Sequence, residues 1–279
     1  MKHHTSPAAI AEDDSLRCAY MRKLIQQPAS HQPLVPPQTT PAVLVQFWDK
    51  PAALPTDVRD CLESWEPLTQ QGFTRQVFDE TRARTFIATQ FGTEHSHAFA
   101  RCVHPAMQCD YFRLCYIYHQ GGFYVDADEE YLGTDCSRLL AGGHLVLQPL
   151  CYDLRSSEMV APAIFMNPQC HSDEWIYYVN NNPLIAPARH PVVGLALARA
   201  TRRLLQTSPR FSGIQSTTGP GNLTASLVLH TLKSALLTEP DFQLLPNWET
   251  YSRTPWPLSY RSDERNWRLW ENAQHQQRS

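Results

Sequence analysis

The chain has 279 residues, 42% of them hydrophobic and 18% charged, which suits a globular protein with one large domain or two small ones. Its formal net charge of −3 gives no indication of a nucleic-acid-binding surface. No run approaches the ~18 uncharged apolar residues that a membrane-spanning helix needs, and the first residues lack the apolar run of a signal peptide. We therefore predict a cytoplasmic protein that has no transmembrane segment and does not bind nucleic acid.

The first 41 residues are predicted to lie outside the main domain. Residues 8–27 have apolar positions at helical spacing, which predicts a short helix. Prolines are frequent between residues 28 and 41, and because proline interrupts regular structure we interpret that stretch as a linker or a wrapping arm. We expect the globular domain to span residues 42–260 and residues 261–279 to form a C-terminal tail.

The start of this domain alternates between strand and helix patterns. Short apolar or alternating runs predict strands at 42–48, 73–78 and 123–125, and helical spacing predicts helices at 56–65, 80–91 and 104–119. Strands that alternate with helices at these intervals are typical of an α/β layer built on a largely parallel sheet. Such sheets bind ligands beyond the carboxyl ends of their strands, and Asp126 and Asp128 fall at such an end.

The later part of the domain is predicted by the same rules. Further strands are expected at 144–148, 163–166, 176–179 and 183–186, and further helices at 190–205 and 223–237. The polar triplet Asn180–Asn182 lies between two of these strands, and we interpret it as a turn or a ligand-facing loop. Gly219 and Gly221 precede the last helix and could present backbone N–H groups to a phosphate or a sugar, whereas Asn222 is the expected helix cap.

Four charged residues between positions 110 and 128 give the main functional signal. Asp126 and Asp128 are one residue apart, so both can reach one side of a metal ion if the strand gives way to a turn. Mg²⁺ and Mn²⁺ prefer such oxygen ligands and often share them with substrate phosphates. Asp110 and Arg113 are three apart on a helix and therefore project from one face. A solvated Asp-x-Asp loop and a simple ion pair within the helix remain alternatives.

The whole pattern, Asp-Tyr-x-Arg followed by Gly-Gly-x-Tyr-x-Asp-x-Asp, resembles the sugar-binding signature of a glycosyltransferase family that contains a DxD motif. That family includes the yeast outer-chain initiating mannosyltransferases and, more distantly, resembles the clostridial glucosylating toxins. The resemblance implies a GT-A-type, Rossmann-like single domain with a mixed, largely parallel sheet and helices on both faces. It also implies metal-dependent transfer of a sugar from a UDP- or GDP-sugar to an acceptor, with retention at the anomeric carbon.

The resemblance further assigns roles to individual residues. Asp110 and Arg113 would hold the donor sugar, and with Asp126 and Asp128 they are the expected catalytic residues. Asp126 would lie near the ribose or the metal, and Asp128 would bind Mn²⁺ or Mg²⁺ directly. The other residues expected at the donor are Gln46, Trp48, Asn182, Gly219 and Trp267, with Trp270 as the alternative to Trp267 for a tryptophan that closes over the donor. The His-His and Ser-Trp landmarks of the family are not found close together, and the stretch from Ser262 to Trp267 stands in their place.

Two other functions fit parts of this pattern. A haloacid-dehalogenase-like phosphatase also carries Asp-x-Asp after an apolar strand, but it needs a second acidic cluster and a lysine downstream. Lys233 is the only lysine after Lys50, which argues against that class. A non-catalytic module that binds a nucleotide sugar would keep the donor pocket alone. The acceptor stays open between a glycan, a small metabolite and a protein, because acceptor sites are built from loops.

Overall fold

The computed structural model describes residues 6–27, 39–206, 213–234 and 241–276. Within these ranges the helices are α1 (Pro7–Glu12), α2 (Asp14–Gln26), α3 (Thr56–Ser64), α4 (Glu80–Phe91), α5 (Thr93–Ala100), α6 (Pro105–Gln120), α7 (Ser137–Leu140), α8 (Pro162–Phe165), α9 (Pro191–Leu205), α10 (Ile214–Thr217), α11 (Pro220–Lys233) and α12 (Trp267–Gln276). The strands are β1 (Val43–Phe47), β2 (Thr74–Phe78), β3 (Gly122–Tyr124), β4 (Glu130–Tyr131), β5 (Leu145–Asp153), β6 (Glu158–Met159), β7 (Trp175–Ala186), β8 (Phe242–Leu244) and β9 (Ser252–Arg253). None of these helices is both long enough and apolar enough to cross a membrane.

Seven strands form one mixed sheet in the order β2-β1-β3-β7-β5-β6, with β8 beside β5. β1 runs parallel to β2 and to β3, and β8 runs parallel to β5. β7 is antiparallel to both of its neighbours, β3 and β5. β4 and β9 form a separate two-stranded ladder. The α/β class with a mixed sheet, as predicted from the sequence, is confirmed.

Successive residues of the central strands pack on opposite faces of the sheet, as the two-residue period of a strand requires. Val45 and Tyr124 belong to a large apolar cluster that includes residues of α4, α6, α9 and α11. Their neighbours Leu44 and Phe123 belong to a second cluster, which contains Trp65 at the end of α3. Both faces are therefore covered by apolar side chains, and the sheet edge at the strand ends is left for polar residues.

The N-terminal segment predicted as one helix forms two, and both pack against the domain. The carboxylate of Glu12, at the end of α1, lies 2.6 Å from Arg199 and 2.9 Å from Arg203 of α9. In α2, the thiol of Cys18 lies 3.2 Å from the carbonyl oxygen of Trp175 in β7. The predicted proline-rich arm falls mainly on residues 28–38, outside the described ranges.

Other predicted elements differ in the structure. Residues 163–166 lie largely in α8 rather than in a strand, because Pro162 suits the first turn of a helix. β7 is one continuous strand, so Asn180–Asn182 lie within the sheet and not in a turn. α11 begins at Pro220, which places Asn222 inside the helix, where its side chain binds groups of α9 instead of capping. The predicted C-terminal tail contains α12.

Candidate functional site

A pocket of about 440 Å³ lies where the carboxyl ends of β1 and β3 meet β7. Its volume is in the range of small-molecule sites, and its position is the one expected for ligands of α/β sheets. Most of the residues predicted for the site line it, namely Trp48, Asp110, Arg113, Asp126, Asp128, Asn182 and Trp267. The structure therefore brings these residues together around one cavity at this edge of the sheet.

Two glycines bring the helix and the strand of the motif together. α6 ends at Gly121, and Gly122 opens β3, with φ angles of +70° and +118° that other residues rarely adopt. A Cβ atom on Gly121 would lie 2.7 Å from the backbone nitrogen of Ala188, and one on Gly122 would lie 2.9 Å from the carbonyl oxygen of Val43. Only glycines allow this close approach, and the resulting reversal sets the middle of α6 beside the end of β3.

The guanidinium of Arg113 joins the two parts of the motif. Its Nη2 lies 2.7 Å from Asp126 Oδ1 and 3.2 Å from Asp110 Oδ1. Its Nη1 donates to the carbonyl oxygen of Asn181 at 2.8 Å, and the group lies over the ring of Tyr124 at 4.3 Å. The Arg113 side chain is only 4% exposed. Because a buried carboxylate is costly without a partner, Arg113 holds both aspartates in place.

Burial and repulsion act against the negative charge of these aspartates. Burial raises the pKa of Asp110 to about 6, although Arg113 and a 2.7 Å hydrogen bond from Asn181 favour the ionised form. Burial also raises the pKa of Asp126, and the nearby charge of Asp128 raises it further. A cation at this wall of the pocket would favour the ionised form of Asp126.

The DxD carboxylates also keep oxygens available for such a cation. Asp126 Oδ1 accepts from Arg113 and Asp128 Oδ2 accepts from Tyr260 and Arg261, whereas the second oxygen of each accepts no hydrogen bond from the described residues. In the same ranges no three His, Cys, Asp or Glu side chains converge as a metal cage. The pair therefore fits a hard divalent ion that takes its remaining ligands from water and substrate phosphates.

The remaining predicted donor residues occupy different places. Gln46 is fully buried in β1, where its Oε1 accepts from Arg75 Nε at 3.2 Å, and it does not line the pocket. Gly219 lies behind Asp110, since a Cβ atom there would be 3.2 Å from Asp110 Oδ2. Trp48 is half-buried at the pocket and packs edge-on against Tyr260, with ring centroids 5.4 Å apart.

The sequence did not indicate several residues that complete the site. Glu129 is buried, and its carboxylate accepts from Asn182 at 2.9 Å and from the hydroxyl of Ser252. Burial raises the pKa of Glu129 to about 7. Tyr260 and Arg261 both donate to Asp128 Oδ2, at 2.6 and 2.5 Å. The sequence offered one signal for these residues, which is the position of Glu129 directly after the DxD motif. Tyr260 gave no such signal, because it lies 132 residues from Asp128 along the chain.

An α/β domain with paired aspartates at a strand end, beside a pocket of this size, has the arrangement expected of a domain that binds a small molecule. Residues 55–135 match the model of the family described as glycosyltransferase sugar-binding region containing DXD motif. The resemblance inferred from the motif is thus confirmed. No curated protein matches the chain. A solved structure described as PaToxG Glycosyltransferase aligns with 94% of this chain and 95% of its own, at 13% identity and a TM-score of 0.48.

Proposed function

We propose that this protein is a glycosyltransferase that moves a sugar from a nucleotide-sugar donor, a UDP- or GDP-sugar, to an acceptor. One observation carries the proposal: Arg113 holds Asp110 and Asp126 together at the pocket wall, within the stretch that matches the glycosyltransferase family model. Retention at the anomeric carbon is supported by the family resemblance alone.

In this proposal the polar residues of α6 orient the donor sugar. Asp110 accepts hydrogen bonds from sugar hydroxyls, and its own orientation is fixed by Asn181 and by Thr218, whose hydroxyl lies 3.2 Å from Asp110 Oδ2. The Nη atoms of Arg113 are engaged with protein groups, so we assign it the positioning of the two aspartates. Trp48 offers a ring face at the pocket on which a nucleobase can stack.

Asp126 and Asp128 would hold Mn²⁺ or Mg²⁺ through the carboxylate oxygens that the described residues leave free. The bound cation supplies charge that offsets the negative charge of the departing nucleoside diphosphate. Asn182 keeps the turn in place for this purpose, because its Oδ1 accepts from the backbone N–H of Asp126 at 3.0 Å and its amide donates to Glu129.

The variant Asp128→Asn tests the proposal, with Asp60→Asn, the same change at an exposed residue of α3, as its control. Donor turnover is measured with a panel of UDP- and GDP-sugars, with and without Mn²⁺. We expect Asp128→Asn to lower Mn²⁺-dependent turnover by roughly 100-fold or more, and Asp60→Asn to leave it unchanged. Undiminished turnover in Asp128→Asn contradicts the proposal. Donor binding by the wild type without any turnover would favour the non-catalytic module instead.

A further inference from the structure

The segment from Ser252 to Ser262, which we call the strap, precedes α12 and lies against the DxD turn. Its first residues are fixed by β9, which pairs with β4, and by the hydrogen bond from Ser252 to Glu129. Its far end is fixed to α3, where Asp57 accepts from the backbone and the hydroxyl of Ser259 at 2.6 and 3.0 Å. Hydrogen bonds therefore hold the strap at Ser252 and at Ser259.

At the end of the strap, Arg261 neutralises the second aspartate of the motif. Its Nη2 lies 2.5 Å from Asp128 Oδ2, and the two side chains are 22% and 13% exposed. The hydroxyl of Tyr260 donates to the same oxygen at 2.6 Å. One carboxylate oxygen thus receives two donors, one of them cationic, at the position where the proposed function requires a metal ligand.

The rest of the Arg261 guanidinium is poorly satisfied. Its Nε is buried and has no hydrogen-bond partner among the described residues, while the group lies over the rings of Trp256 and Tyr260 at 4.9 and 5.6 Å. A buried donor without a partner is costly, so its presence in a native site calls for an explanation. Arg261 lines the same pocket as Asp128, so its guanidinium can meet a ligand that enters the pocket.

We propose that Arg261 is a donor-binding residue that exchanges Asp128 for the diphosphate of the nucleotide sugar. In the ligand-free protein it is the counter-ion of Asp128. When the cation binds the Asp128 oxygen that accepts no hydrogen bond, it replaces Arg261 as the counter-ion of Asp128. The planar guanidinium then pairs with diphosphate oxygens, which match its fork of N–H donors. This inference rests on the proposed function and adds a phosphate ligand that lies outside the matched stretch of the motif.

The exchange predicts effects of opposite sign in one variant. In Arg261→Gln the positive charge beside Asp128 is gone, so Mn²⁺ alone, titrated by the loss of its free EPR signal, should bind several-fold tighter. UDP or GDP in saturating Mn²⁺, titrated by calorimetry, should bind at least about tenfold more weakly, because a charge-assisted contact to phosphate is lost. Arg261→Lys keeps the positive charge but lacks the planar set of N–H donors. Its Mn²⁺ affinity should stay near that of the wild type, and its nucleotide affinity should lie between those of the wild type and Arg261→Gln.

Arg253→Gln is the matched control, since Arg253 lies on the same strap but is 63% exposed and pairs with Glu130 outside the pocket. It should change neither affinity. Parallel loss of Mn²⁺ and nucleotide affinity in Arg261→Gln would show a merely structural contact and overturn the exchange, and so would unchanged affinities. If the wild type binds nucleotide and Mn²⁺ but never transfers sugar, the proposed function fails. The exchange is then still decided by the opposite changes in Mn²⁺ affinity and nucleotide affinity of Arg261→Gln. If the wild type binds neither UDP nor GDP, both proposals are overturned.

Discussion

Replacing Arg113 by methionine tests whether this residue holds the site together. Arg113→Met keeps an unbranched side chain but leaves Asp110 and Asp126 without their shared counter-charge. The Arg113 side chain is 4% exposed, and those of Asp110 and Asp126 are 9% and 29% exposed. Breaking a buried ion pair costs roughly 3–5 kcal/mol, and because Asp126 keeps some access to water we expect about 3 kcal/mol. A domain of ordinary stability, roughly 5–15 kcal/mol, remains folded after that loss.

A double-mutant cycle with Asp126→Asn isolates the interaction itself. The free energy of unfolding is measured by urea titration with circular dichroism for each single variant and for the pair. Because Arg113 and Asp126 are in contact at 2.7 Å, the double variant should lose about 1–3 kcal/mol less than the sum of the single losses. Arg84→Met is the control, since the Arg84–Glu80 pair lies on the surface with Arg84 48% exposed, and it should change stability by no more than about 0.5 kcal/mol.

Two outcomes would refute this argument. One is a loss in Arg113→Met as small as that in Arg84→Met, which would mean that the buried aspartates do not need their partner. The other is strict additivity of the Arg113 and Asp126 losses, which would mean that the contact carries no coupling energy.

Two further predictions concern the scaffold. Nδ1 of His104 accepts from the backbone N–H of Ala106 at the start of α6, and burial lowers the pKa of His104. The stabilisation by this cap is therefore complete above about pH 6.5, the pKa of a free histidine, and is lost as the pH falls through the lowered pKa of the folded state. The stability gap between wild type and His104→Ala, about 1 kcal/mol at neutral pH, should therefore shrink by pH 5, and a constant gap would contradict this account. Glu12→Gln should lower the free energy of unfolding by about 1 kcal/mol, because it removes the ion pair with Arg199. Glu63→Gln, at an exposed residue of α3, should leave it unchanged. Equal stability of the two variants in urea would refute a stabilising role of the Glu12–Arg199 pair.

The half of the site made by α6 and β3 was predictable because its determinants are local. Asp110 and Arg113 are one helical turn apart, and the Gly121-Gly122 pair marks where the helix must end and the strand begin. Asp126 then follows after a short apolar strand. Each step depends on spacing and on backbone freedom, which a sequence displays directly.

The role of Asn180–Asn182 was only half predicted. Polar triplets usually indicate turns because strand interiors seldom bury amides, yet here the triplet lies in β7 and two of its members are buried. Their partners explain the exception: Asn181 donates to Asp110, 71 residues away, and Asn182 donates to Glu129. Those partners are far away along the chain, so local pattern could not show that the amides would be satisfied.

The strap was not predictable either, because its partners in the DxD turn lie more than 100 residues away along the chain. Its link to the motif is a small set of polar contacts, chiefly from Arg261 and Tyr260 to Asp128 and from Ser252 to Glu129. The α6–β3 half, in contrast, is embedded in the main apolar cluster. Segments held by few apolar contacts open at lower free energy than packed ones. Under the proposed function, we therefore expect the strap to adjust when a donor enters, while Asp110, Arg113 and Asp126 keep their geometry.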